Sequence, residues 1–316
     1  MEAKVTSFRI NRNLAVVQLV TAGQGHCDFI TAARAMHEGK IDIREVNEAG
    51  SVNTALVVNR GGELVLLTDA DILTGAKQTR VVNTSILLAP HSTTAIPVSC
   101  VEQGRWGFTA PGFSPADYTA PSALRAAKME QVRSNMRTRG GRHADQGEIW
   151  ARVGEYQAQF RVPSATGSLA DIFEGKKETF DGFLAPFTPD PAANGMGVFI
   201  GGTLVCVDVF NRADVFREYF PKLVRGAALE AFPRPAEAKA LQEAEARFTV
   251  LDTLDRLQAA ERETFPGVGV GEEERFAAGG MTASALRHGG AMVHLTALKL
   301  EAAGRRAASR QRPPRM

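Results

Sequence analysis

Residues 80–102 read RVVNTSILLAPHSTTAIPVSCVE, and how this stretch folds decides what can be built around it. Arg80 to Leu88 and Ala95 to Glu102 are rich in β-branched and aliphatic residues and are joined by Pro90-His91-Ser92-Thr93-Thr94, which predicts two antiparallel strands of one hairpin. Pairing around that connection sets Ser85 beside Val98, Asn83 beside Cys100, Val81 beside Glu102 and Gln78 beside Arg105. The open end of the hairpin then gathers Lys77, Gln78, Arg80, Asn83, Glu102, Arg105 and Trp106.

Upstream, residues 5 to 20 end in an apolar run from Leu14 to Val20 that predicts a first strand. Asp28 is placed to cap a short helix with Ile30, Ala33 and Met36 on one face and Gly39 as its stop. Ile41 to Val46, Thr54 to Asn59 and Leu64 to Leu67 are short strands punctuated by glycine, the signature of a β-meander.

Downstream, a Pro- and Gly-containing stretch over 107–121 marks a crossing loop. Ser122 then caps a helix in which Arg125, Lys128, Arg133, Arg137, Arg139 and Arg142 face a single acid, Glu130. That run reads either as a solvated helix face or as an anion-binding flank. Helices follow near 146–160 and from Ser168, with Leu169, Ile172, Phe173, Phe180, Phe183, Leu184 and Phe187 forming a core stripe at helical spacing. A hairpin over Gly197–Ile200 and Thr203–Phe210, a helix over 214–232 with Pro221 inside, and a long charged helix over 236–263 come next. Short strands over 267–300 and a basic tail from Gly304 complete the chain.

The expectation is an α+β protein with a β-rich, antiparallel, sandwich-like N-terminal half (1–110) packed as one unit with a helical and mixed half (111–300), followed by a disordered tail (301–316). The chain has 316 residues, 44% hydrophobic and 23% charged, with a formal net charge of +2. Such a balance offers no global attraction to nucleic acid or an anionic membrane. No secretory leader or membrane-length apolar run is visible, and Cys27, Cys100 and Cys206 are isolated, which together point to the cytoplasm.

Strong catalytic signatures are missing: there is no Walker A loop, no GxSxG elbow and no HExxH pair. Gly267-Val268-Gly269-Val270-Gly271 lacks a following Lys-Ser/Thr and reads as a turn. His26-Cys27-Asp28 groups three metal-capable types, but neighbours on a chain diverge, so no metal site is expected and no cofactor is specified. Cys100 would be a nucleophile only if His91 or His294 approached it, and it reads better as core. The hairpin cluster differs in kind. Lys77, Arg80 and Arg105 suit anionic oxygens, Gln78 and Asn83 donate and accept, Trp106 offers a stacking face, and Glu102 or Asp71 supplies a carboxylate base. An internal ion-pair network that only locks the sheet is the competing reading.

Gly75-Ala76-Lys77-Gln78, Arg80, Asn83, Pro97-Val98-Ser99-Cys100-Val101-Glu102 and Gly104-Arg105-Trp106 resemble the signature of the ADP-ribosylglycohydrolase- and rhodanese-phosphatase-associated protein family of prokaryotes. The resemblance runs from about residue 10 to 300. Asp69-Ala70-Asp71 stands where the family pattern has Glu-Gly-Glu, and Thr79 where it has Asn. The shorter carboxylate moves back by about an ångström, which counts against proton transfer by Asp71. The resemblance implies a role near NAD-derived or ADP-ribosylated molecules, in ADP-ribose metabolism, phage defence or RNA repair.

Two readings follow. One is a protein that binds or hydrolyses an ADP-ribose- or nucleotide-like ligand at the hairpin cluster. The other is a non-enzymatic module whose cluster is structural and whose 236–263 helix docks a partner enzyme. RNA binding by the 125–142 helix and the tail is a weaker third.

Overall fold

The computed structural model describes residues 1–138, 140–233 and 241–300. In the N-terminal half, β1 (Glu2–Asn11) and β2 (Leu14–Ala22) precede β3 (Ile30–Thr31), α1 (Ala32–His37), β4 (Ile41–Glu45), β5 (Thr54–Asn59), β6 (Val65–Leu67) and β7 (Asp71–Gly75). The signature stretch forms β8 (Arg80–Val82), β9 (Ile86–Leu88) and β10 (Ser92–Cys100), and β11 (Phe113–Thr119) follows. The C-terminal half runs α2 (Ser122–Thr138), α3 (Gln146–Phe160), α4 (Leu169–Gly175), α5 (Lys177–Leu184), β12 (Gly195–Ile200), β13 (Thr203–Phe210), α6 (Ala213–Ala231) and α7 (Glu243–Ala259). It ends in the meander β14 (Glu263–Pro266), β15 (Glu272–Ala278), β16 (Met281–His288) and β17 (Ala291–Lys299). The expected mixed α+β class, with antiparallel sheets and a strand-rich first half, is what the chain adopts.

An eight-stranded sheet has the order β1-β2-β12-β13-β17-β16-β15-β14, so strands from both ends of the chain meet in it. A six-stranded sheet, β11-β7-β8-β10-β5-β4, and a three-stranded one, β3-β6-β9, come from the N-terminal half. The large sheet is covered on both faces. Leu14 and Val16 face the main core with α2 to α6, while Ala15, Val17 and Leu19 face a second core under α7. Burial on both sides explains why 14–20 reads as an unbroken apolar run instead of an alternation. A third core, with Ile43, Val57, Leu67, Val82, Ile86, Leu88 and Ile96, holds the two smaller sheets together.

Several expectations are corrected. The apolar run Leu14 to Val20 is a strand, as expected, but not the first: it lies in β2, and β1 precedes it in a hairpin turned at Arg12 with φ 54°. The first helix is capped by Thr31, whose hydroxyl accepts from Arg34 N at 3.1 Å, and it buries Ala32 and Ala35. Asp28 instead lies beside His26, 3.0 Å away, on the surface. The long charged helix is shorter: α7 stops at Ala259 because Glu263–Pro266 leaves it to pair with β15, while 236–240 lie outside the described residues.

The largest correction concerns residues 80–88, which are two strands in different sheets. Arg80–Val82 pair with β10 in the register Val82↔Val98, Val81↔Ser99 and Arg80↔Cys100, three residues from the expected pairing. Ile86–Leu88 pair with β6 instead. Between them three consecutive polar side chains are buried, each with its own remote partner. Asn83 accepts from Ser99 Oγ at 2.9 Å, Thr84 Oγ1 donates to Glu273 at 2.5 Å, and Ser85 Oγ contacts His294 Nδ1 at 2.9 Å. A single strand would project these side chains alternately to two faces, so the ladder breaks to let each reach its partner.

The glycine-rich stretch at 267–271 is the expected turn, and it packs on backbone: Val270 N donates to Leu87 O at 2.8 Å, and a Cβ at Gly269, with φ +82°, would collide with that same carbonyl.

The described residues of the basic run are largely engaged within the protein. Arg125 and Lys128 are buried, and Arg125 binds Asp208 at 2.8 and 3.1 Å, Asp69 at 3.3 Å and Thr296 Oγ1 at 2.8 Å. Lys128 Nζ donates to Asp69 O and Val82 O. Arg133 and Arg137 pair with Glu263, and Arg142 with Glu273. With these five basic groups so engaged, little of the run is left for RNA; Arg139 and the tail lie outside the described residues.

Burial pushes the Lys128 ammonium down from 10.5 to about 7, with Asp69 and Asp71 opposing the shift and Arg125 and Arg275 adding to it. The unfolded chain thus holds this proton more tightly, and stability should rise with pH above about 7. Burial also raises the thiols of Cys27, Cys100 and Cys206, which act in the opposite direction at higher pH. Between about pH 7 and 8.5 the expected gain is on the order of 1.5 kcal/mol. It should be read as a melting temperature that climbs in the wild type and stays level in Lys128→Met; equal slopes in the two would contradict it.

Candidate functional site

The chain reverses after β7 through Gly75, with φ +99°, and Ala76, with φ 38°. Glycine is required at 75 because a Cβ there would sit 2.6 Å from Gly112 O. This turn delivers Lys77, Gln78 and Thr79 to the start of β8, opposite the segment that leaves β10. Val101 N donates to Thr79 O at 3.0 Å, so the two segments stay registered beyond the last strand pair.

Glu102 sits at the centre and is 3% exposed. Its carboxylate accepts from Thr79 N at 2.9 Å, Thr79 Oγ1 at 3.0 Å, and Arg105 Nε and Nη2 at 2.8 and 2.7 Å. Arg105 donates its remaining nitrogen to Ala76 O, Gly107 O and Thr109 Oγ1 at 2.7, 2.8 and 3.1 Å. A fork-to-fork pair therefore clamps the β7–β8 turn to the 104–109 loop. Burial would raise the Glu102 carboxyl, but hydrogen bonds from Arg105, Thr79 and Thr166 hold it below its ordinary value. A general base for neutral pH needs the opposite tuning and an open lone pair. Thr79 supplies two of the donors, its backbone N–H and its hydroxyl.

Gln78 is buried, its amide donating to Gln103 O at 3.3 Å. Arg80 is 0% exposed, and its guanidinium donates to Val52 O at 2.7 Å and to Cys100 Sγ, and lies 3.4 Å from Glu45 Oε1. Arg80 Nε and Glu45 Oε2 are both buried and have no hydrogen-bond partner among the described residues. Burial pushes the Cys100 thiol up to about 11 despite Arg80, and neither His91 nor His294 is among its partners, so it is no activated nucleophile. Asn83 clasps Ser99 and Arg142 O, apart from the Arg105 network. Asp71 is also apart: it accepts from Thr68 N, Thr68 Oγ1 and Tyr219 Oη at 2.7, 3.1 and 2.8 Å. The acidic Asp69-Ala70-Asp71 element thus divides between Arg125 and Tyr219.

What the hairpin shows to solvent is a different set. Trp106 is 45% and Phe108 52% exposed, and Lys77 Nζ lies 5.4 and 4.9 Å from their ring centroids. Arg80 Cζ lies 5.4 Å from the Trp106 ring on the buried side. Gly50 makes room beneath, since a Cβ there would be 3.1 Å from Trp106 Cζ2. Phe108, Glu45, Val52 and Gly50 were missed from sequence. Phe108 had a signal, an aromatic two residues after Trp106; the others come from the β4–β5 region and had none. Among the described residues, no three His, Cys, Asp or Glu side chains gather as metal ligands.

The model of the ARG and Rhodanese-Phosphatase-superfamily-associated Protein domain matches residues 2–298. The chain belongs to this family. No curated protein and no solved structure matches it. The family name associates such proteins with ADP-ribosylglycohydrolases and with the rhodanese-phosphatase superfamily. No helix among the described residues is long and apolar enough to cross a membrane.

Proposed function

We propose that the protein is a recognition module of ADP-ribose metabolism that binds an ADP-ribose- or nucleotide-like molecule on the Lys77–Trp106–Phe108 face. Exposure of Trp106 and Phe108 on either side of a lysine carries this reading, because stacking faces beside a cation suit a base next to a phosphate. Glu102, Arg105, Gln78 and Arg80 act as positioning residues that hold the loop and the Trp106 ring. Asn83 ties the same hairpin to α2 and α3 through Arg142. Glu102 and Asp71 serve as acceptors within the fold and not as bases, because each carboxylate already takes three or more hydrogen bonds.

The chain has two tryptophans, and the other, Trp150, is tied to Glu102 O, so indole fluorescence reports on the site. Titration with ADP-ribose, NAD or ATP should quench it saturably. Trp106→Ala should weaken binding about tenfold or more, and Lys77→Ala should weaken it and reduce its salt dependence. Both variants should keep the wild-type melting temperature. No saturable response to any of the three ligands, or unchanged affinity in both variants, removes the proposal.

A second reading rests on a separate observation. Val52, at 39% exposure, lies near Trp106 and Phe108 through Arg80, which donates to Val52 O and backs the Trp106 ring, so three of the five exposed large hydrophobic residues among the described ones fall in this region. Aromatic and arginine-backed patches of this type anchor protein partners. In that reading the face docks a partner enzyme; Trp106→Ala would then abolish co-elution with it while nucleotides gave no response. The helix first assigned to docking, α7, exposes Phe248 at 70% but no comparable cluster.

A further inference from the structure

A cleft of about 380 Å³ opens where the end of α7 meets the outer face of the eight-stranded sheet, on none of the elements that carry the signature hairpin. Small-molecule sites span ~300–1,000 Å³, so it is large enough for a small ligand. Its floor is apolar, built from Leu254 and Leu257 of α7 and from Met292 and Leu295 of β17. Its rim carries two guanidinium groups, Arg262 and Arg287, and the Met1 ammonium, which donates to Gln258 Oε1 at 2.7 Å, against one carboxylate, Glu274.

The two arginines are not equivalent. Arg262 is fully engaged: it pairs with Glu274, donates to Leu257 O at 3.3 Å, and lies 4.5 Å over the Phe276 ring. By capping Leu257 O it also offsets the negative end of the helix, which would otherwise disfavour an anion here. Among the described residues Arg287 makes one hydrogen bond, from Nη2 to Gly290 O at 2.9 Å, and it forms a loose ion pair with Glu274, Nε lying 3.7 Å from Oε1, beyond hydrogen-bond reach. A bulge between Leu286 and Arg287 sets this arginine opposite Met292 of the cleft floor. Bulges commonly re-aim one side chain out of a regular ladder.

A guanidinium with unused donors above a hydrocarbon floor is complementary to one anion attached to an apolar chain. We propose that this cleft binds an aliphatic monocarboxylate, with the carboxylate gripped by Arg287 and the chain lying along Leu254, Leu257, Met292 and Leu295. A nucleotide fits less well, since its ribose hydroxyls would lie unpaired against the four apolar side chains of the floor.

Calorimetric titration of the full chain with sodium decanoate, kept below micelle formation, tests the assignment. Saturable one-to-one binding is expected, at least tenfold weaker in Arg287→Ala and partly retained in Arg287→Lys. On the unmodified protein, decan-1-ol, which has the same tail and no charge, should bind at least tenfold more weakly than decanoate, a comparison that needs no variant. Absence of saturable decanoate binding, equal affinity for decanoate and decan-1-ol, or full affinity in Arg287→Ala would each overturn it.

Discussion

Arg125→Ala should lower the unfolding free energy by about 3–5 kcal/mol, the cost of stranding buried charge. The guanidinium lies between two buried carboxylates, Asp69 and Asp208, and also donates to Thr296, so it ties α2 to both the β6–β7 connection and the centre of the eight-stranded sheet. Burial would raise the Asp208 carboxyl, yet Arg125 and His294 hold it well below the usual carboxylate range. In the wild type, therefore, this group contributes stability that is present above the unfolded value of 3.8 and is lost as pH falls toward the folded one. Without Arg125 the relation inverts: the stranded acids are easier to bury protonated, so the variant should recover stability between about pH 7 and 5 while the wild type does not. Guanidinium denaturation at the two pH values reads this directly. Arg125→Lys should rescue only part, because an ammonium cannot fork to both acids. A variant with wild-type stability at pH 7 would mean that the network contributes nothing.

The same network explains what could be read in the chain and what could not. Features set by neighbours in sequence were legible. The nearness of Glu102 to arginine is one, although whether Arg80 or Arg105 neutralises it was open, and the structure gives Arg105. The Ser168 cap, the phenylalanine stripe through Phe173, Phe180 and Phe183, and the Gly201-Gly202 hairpin are others. Features set by partners far along the chain were not. Arg125 and Lys128 look like surface residues until Asp208 and the carbonyls of Asp69 and Val82 are brought around them. The break at Asn83–Ser85 depends on Glu273 and His294, almost 200 residues downstream. The candidate site shows the same division. The hairpin end was found, but its open and sealed sides were not separable, because Glu45 arrives from the end of β4 and Gly50 and Val52 from the β4–β5 connection, with no local signal.

Arg105→Ala separates positioning from contact in that site. Its side chain is 17% exposed, and its loss removes the bidentate pair with Glu102 together with the bonds to Ala76 O, Gly107 O and Thr109. Glu102 would keep Thr79 but lose its counter-charge while buried, so a loss of about 2–4 kcal/mol is expected. Because the Arg105 and Glu102 side chains interact directly, Glu102→Gln should cost less in the Arg105→Ala background than in the wild type, and a double-mutant cycle in denaturant should show that coupling. Additive losses would mean that the pair is incidental. The consequence for recognition follows from position. The 104–109 loop carries Trp106 and Phe108, and once Arg105 releases the Ala76 and Gly107 carbonyls the loop is held more weakly, by Thr109 N on Ala76 O at 3.0 Å and by Arg80 against the Trp106 ring. ADP-ribose affinity should therefore fall in Arg105→Ala along with stability, whereas in Trp106→Ala it should fall alone. If Arg105→Ala lost stability and kept full affinity, the ligand would not be using the aromatic face. The clamp would then be serving the fold only.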